Sequence, residues 1–114
     1  PFNAHTTASD ALRMGLPLLT CIGESFVSRV AASLLKSIKL PELIVNNHDE
    51  YEALAIHLGR NTQELKVIKE KLLKNIENEA LFYTPLYTRN IENAYIQMYK
   101  NYYKGLHPND IVIK

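Results

Sequence analysis

Residues 5–10, His-Thr-Thr-Ala-Ser-Asp, bring together side chains that could hold an anion at the start of a helix. Threonine hydroxyls, an imidazole and the free N–H groups of a first helical turn are all donors that phosphate oxygens accept. The helix dipole adds about 0.5–1 kcal/mol in favour of an anion. Asp10 does not fit a phosphate, because like charges repel. One turn into the helix, its carboxylate suits ribose hydroxyls instead, as the acidic residue of dinucleotide folds does. The same residues also read as a simple cap, with Thr7 as N-cap, Asp10 three residues on imitating a capping box, and His5 at the surface. On spacing alone the cap is the commoner of the two.

Other reactive side chains point to plainer roles. Cys21 follows an apolar run and reads as a core residue rather than a reactive thiol. His48 lies in a polar turn and His57 falls between the inward positions Leu54 and Leu58, so both read as solvated. Lys66, Lys69, Lys71 and Lys74 alternate with Glu64, Glu70 and Glu77 around an apolar stripe, the pattern of a solvated helix face. Tyr95, Tyr99, Tyr102 and Tyr103 have no basic groove interleaved with them, so their spacing fits packing better than base stacking. There is no paired carboxylate and no His/Cys cluster at metal-ligand spacing.

The elements that must position residues 5–10 follow from periodicity. A short helix is predicted over about 8–14, with Gly15 as its stop. Leu16–Cys21 is too short for a helix and too apolar for a half-exposed strand, so a buried strand is predicted there. Ser25 caps a second helix with Phe26, Val30, Ala31, Leu34, Leu35 and Ile38 inward, and Pro41 ends it. Glu42–Val45 is a second strand, and a polar turn at 46–49 offers caps to a third helix over 50–58, stopped by Gly59. That helix carries Tyr51, Leu54, Ala55 and Leu58 inward. A fourth helix runs from Thr62 to about 77 on the stripe Leu65, Ile68, Leu72 and Ile76. A fifth starts at Thr84-Pro85 and runs to about 103, expected to pack through its tyrosines.

Alternating helices and strands give a helix-rich α/β class with two short parallel strands and about five helices. Two strands cannot complete a parallel sheet buried on both faces. Together with a start at Pro1, this suggests the C-terminal half of a doubly wound domain, with residues 1–114 as a single partial domain.

Size and composition bound the function. The 114 residues are enough to bury a core without metal or disulfide. Thirteen basic and twelve acidic residues are intermixed, for a net charge of +1, which argues against nucleic acid or membrane as a partner. No apolar run approaches a membrane span, and no secretory leader is visible. A single cysteine favours a reducing, cytoplasmic setting.

A wider series surrounds the first motif: His5-Thr6-Thr7 with Asp10-Ala11-Leu12, Gly15-Leu16-Pro17, Gly23-Glu24, then Ser28-Arg29-Val30-Ala31-Ala32-Ser33. It continues through Glu42-Leu43-Ile44, Tyr51, Leu58-Gly59, Tyr87-Thr88 and Gln97-Met98. Spanning nearly the whole chain, it closely resembles the C-terminal catalytic lobe of the O-linked N-acetylglucosamine transferases, glycosyltransferase family 41. The resemblance implies the second Rossmann-like lobe of a GT-B fold in a metal-independent enzyme with tetratricopeptide repeats, transferring N-acetylglucosamine from UDP-GlcNAc to Ser or Thr of proteins. It makes His5, Thr6 and Thr7 the diphosphate contacts and Asp10 the ribose contact. Glu24 would face the same cleft, and Arg29 would hold the lobe together.

The family's first lobe, and the early part of the second with its base pocket, have no counterpart in these residues. The piece alone is therefore expected to be inactive, and surface meant for the other lobe would be prone to self-association. Two alternatives stand beside this reading. One is a relative that uses another nucleotide sugar or an Asn acceptor; the other is a helical interaction module with no ligand.

Overall fold

The computed structural model describes residues 2–113. The chain divides into two compact units, one ending at Phe82 and one beginning at Tyr83.

The first unit is built on one β-α-β crossover. Strand β1 (Thr20–Cys21) pairs in parallel with β2 (Ile44–Val45), in the register Thr20 to Ile44 and Cys21 to Val45. Helix α2 (Val30–Ser37) connects them, flanked by 3-10 turns at Phe26–Ser28 and Pro41–Leu43. Helix α1 (Thr6–Arg13) precedes the crossover, while α3 (His48–Arg60) and α4 (Thr62–Asn78) follow it. Leu12, Leu35, Ile38, Leu40, Leu43, Leu58, Ile68 and Leu72 form a single core, so each of the four helices contributes to it.

Several boundaries differ from the periodicity. Both strands are shorter than predicted. Leu16–Leu19 carries no ladder, Leu16 is exposed, and Pro17 has no N–H to offer one. The residues before β2 are taken by the Pro41–Leu43 turn, so β1 has a partner only over its last two positions. Gly59 does not stop α3 but lies inside it, and the helix ends at Asn61, whose N–H and side-chain amide both donate to the His57 carbonyl. Ala55 is exposed and Tyr51 is 40% exposed, so the apolar face of α3 is narrower than predicted. Cys21, expected in the core, is only partly buried.

The second unit is α5 (Thr84–Tyr103) with the residues that follow it. Gly105, at φ +66, closes the helix with its N–H on the Tyr102 carbonyl and that of Leu106 on Asn101. No residue of α5 is buried, so Tyr95, Tyr99 and Tyr102, predicted to pack, are exposed. Their spacing defines a face, and a tyrosine's polar tip allows that face to stay wet.

Candidate functional site

Of the five residues singled out for donor binding, Glu24 lies in the loop after β1, and His5, Thr6, Thr7 and Asp10 lie at the start of α1. His5 occupies the N-cap position of α1, two residues earlier than the predicted Thr7 cap, and Thr6 is the first helical residue. The Ala8 and Ser9 N–H groups both donate to the His5 carbonyl, at 3.1 Å each. The N–H groups of Thr6 and Thr7, which precede any intrahelical acceptor, have no partner among the described residues. No side chain caps the helix, so the Thr7–Asp10 capping box does not form. Moving the start by two residues puts Thr7 inside the first turn rather than at the cap position. Thr6, Thr7 and Asp10 are exposed, and the helical spacing from Thr6 to Asp10 sets them on one face.

The segment before α1 is knitted to the loop after β1. Asn3 is only 8% exposed; its N–H donates to the Val27 carbonyl at 2.9 Å and its Nδ2 to the Cys21 carbonyl at 3.2 Å. The loop is held from within, by Gly23 N–H on the Ser28 carbonyl at 2.9 Å and by the buried Ser28 hydroxyl on the Ser25 carbonyl at 2.9 Å. Ser25, expected to cap α2, instead precedes the 3-10 turn and makes no cap bond. Glu24 sits exposed in this loop.

His5 is partly buried between aromatic rings. It stacks on Phe2 at 5.1 Å and 14° and meets Phe26 edge-on at 6.2 Å, with Nε2 3.3 Å from the Val27 carbonyl oxygen. Phe26, predicted to face the core from α2, is 78% exposed and serves the histidine instead. Arg29 is exposed and forms no ion pair among the described residues. Asn3, Phe2, Phe26 and the Val27 carbonyl are the positioning groups that periodicity missed. A buried asparagine and a backbone carbonyl leave no mark on a hydrophobic pattern.

What this arrangement offers is two N–H groups, two hydroxyls and one imidazole, with a carboxylate one turn along. Such a set can bind a phosphate and a neighbouring diol. Among the described residues no group of three or more His, Cys, Asp and Glu side chains comes together, and no helix is long and apolar enough to cross a membrane.

The family model described as Glycosyl transferase family 41 matches residues 1–91. The chain belongs to glycosyltransferase family 41. It is 35% identical, over 91% of its length, to a Caenorhabditis elegans protein named UDP-N-acetylglucosamine–peptide N-acetylglucosaminyltransferase, of which it covers 9%. It is 34% identical, over 93% of its length, to an Arabidopsis thaliana protein named "Probable UDP-N-acetylglucosamine–peptide N-acetylglucosaminyltransferase SEC", of which it covers 11%. A Thermobaculum terrenum O-GlcNAc transferase mutant superposes on 89% of the chain with a TM-score of 0.81 and 30% identity, the chain covering 19% of it. The family 41 chain thus spans about a tenth of the length of these curated relatives, and it has the fold of the corresponding part of a GT-B transferase.

Proposed function

We propose that the chain forms the diphosphate and ribose side of the donor site in a protein glycosyltransferase that transfers N-acetylglucosamine from UDP-GlcNAc to Ser or Thr of proteins. The observation that carries this is the free N–H pair of Thr6 and Thr7 beside the His5 ring, inside a family 41 chain whose curated relatives are named for this reaction. In sugar transfer the nucleoside diphosphate is the leaving group, and its negative charge grows as the glycosidic bond breaks. Donors already aimed at that oxygen cluster act most strongly on the transition state, because no reorganisation is needed as the charge appears. Thr6, Thr7 and His5 take the diphosphate, Asp10 accepts from the ribose hydroxyls, and Glu24 borders the same cleft.

The proposal requires no metal or other cofactor; the nucleotide sugar is the substrate and a protein the acceptor, in the cytoplasm. The remaining donor contacts and the acceptor site belong to parts of the family outside this chain, so residues 1–114 alone constitute a partial domain without transferase activity. The exposed apolar and aromatic side chains of α5, among them Tyr95, Ile96, Met98 and Tyr99, supply a surface for self-association of the isolated chain.

The test is transfer from UDP-GlcNAc by the protein that carries this chain, with and without EDTA, comparing His5→Ala and Asp10→Ala. Loss of a donor that acts on the transition state lowers turnover about 100-fold or more. We expect that for His5→Ala, a raised KM for Asp10→Ala, and no effect of EDTA. Near-normal turnover in His5→Ala would remove the assignment.

A further inference from the structure

We infer that His5 meets the donor diphosphate as an imidazolium, through Nδ1–H, because the Val27 carbonyl already holds its other nitrogen; this rests on the donor reading above. The Nε2 atom lies 3.3 Å from the Val27 oxygen. A carbonyl can only accept, so the proton between them is on Nε2. Neutral imidazole carries one proton, which leaves Nδ1 with a lone pair. A lone pair repels phosphate oxygens, so only the doubly protonated ring is a donor on that side.

Two aromatic rings and a backbone carbonyl surround the imidazole. Phe2 covers one face at 5.1 Å and Phe26 meets it edge-on. The Val27 carbonyl is itself anchored by the Asn3 N–H at 2.9 Å, and Asn3 is buried with its amide on the Cys21 carbonyl. The charged side chains of the surrounding elements are Asp10 and Arg13 on α1, with Glu24 and Arg29 flanking the 3-10 turn. None of them pairs with the ring among the described residues. The negative charge that favours a second proton on the imidazole therefore comes from the ligand: an opposite charge within about 4–6 Å favours the charged form. Binding of the diphosphate takes up one proton from solvent, on Nδ1, and no covalent bond changes. Donor affinity then weakens as pH rises, because the competent form of the ring becomes scarcer.

The probe is UDP-GlcNAc, whose diphosphate is a diester and keeps its charge across the range in which imidazole titrates. The 15N-labelled protein that carries this chain is titrated at pH 6 and pH 8 (about half a unit below and well above the usual histidine value), following the Thr6 and Thr7 amides and the ring nitrogens of His5. The expected result is an apparent Kd at least about fivefold weaker at pH 8, with both ring nitrogens protonated in the complex. In His5→Gln the side-chain amide can still donate to Val27 but nothing replaces Nδ1–H, so this dependence on pH disappears. Shifts at Thr6 and Thr7 with equal affinity at both pH values, or a bound ring with Nδ1 unprotonated, would overturn the inference and leave the donor reading standing. No shift at Thr6 or Thr7 at either pH would overturn the donor reading, and this inference with it.

Discussion

Two glycines of the first unit carry opposite consequences for the same substitution. Gly15 has φ +76 and ends α1, with its N–H on the Leu12 carbonyl and the Leu16 N–H on Ala11. A Cβ there would also lie 2.8 Å from Leu73 Cδ2, but Leu73 is exposed and its tip can move, so backbone strain dominates. Gly15→Ala is expected to cost about 1–2 kcal/mol. Gly59, within α3, has nothing within 4 Å of an added Cβ, so Gly59→Ala should instead stabilise, by about 0.5–1 kcal/mol. Urea denaturation of the two variants measures both signs. The sequence suggested the first glycine's role and misassigned the second, since a glycine near a helix end looks the same whether the helix stops there or runs on.

Glu50 offers a test by pH at the same scale. The Asn46 N–H donates to its carboxylate at 2.9 Å and so holds its pKa below the usual 4.5, with the Asn47 and Asn46 side chains adding to the effect against some desolvation. A lowered folded value means that the contribution to stability is full above the unfolded pKa and is lost as pH falls through the folded one. Glu50→Gln should therefore lower Tm at pH 7, with the difference shrinking toward pH 3 (well below the ordinary carboxylate range of about 4). A difference that grows on acidification would contradict this.

At the scale of elements, α2 and α4 are joined by more than apolar contact. Ile38 is the C-cap of α2, and Asn75, buried on α4, donates Nδ2 to its carbonyl at 2.8 Å. Lys39 follows with φ +60, and the Leu40 N–H returns to Leu35, so the helix ends in the same motif as α1 but without a glycine. Asn75→Leu fills similar space yet strands a buried carbonyl, at an expected cost of about 1–3 kcal/mol, read by chemical denaturation. The stripe Leu65, Ile68, Leu72 and Ile76 was legible from its 3.6 period, whereas Asn75 beside it was not, because hydrophobic periodicity is blind to a buried amide. The five helices were legible for the same reason of period. The strands came out short because the length of a ladder is set by its partner, and neither Pro17 nor the Pro41 turn supplies one.

For the molecule as a whole, the ordered series from His5 to Met98 carried the family, and the family model and the structural superposition agree with it. Local chemistry at residues 5–10 favoured a cap over an anion site. The predicted capping box does not form, and the N–H groups of Thr6 and Thr7 have no partner among the described residues. The tyrosine face of α5 was equally legible as a pattern, but a face does not name the surface it meets. The proposed binding of a nucleotide sugar's diphosphate and ribose by residues 5–10 is tested most directly by amide shift mapping, with millimolar UDP-GlcNAc at pH 6, of the protein that carries this chain. The predicted result is saturable shifts centred on His5, Thr6, Thr7 and Asp10, absent with free N-acetylglucosamine. Shifts confined to other residues, or none at all, would contradict it.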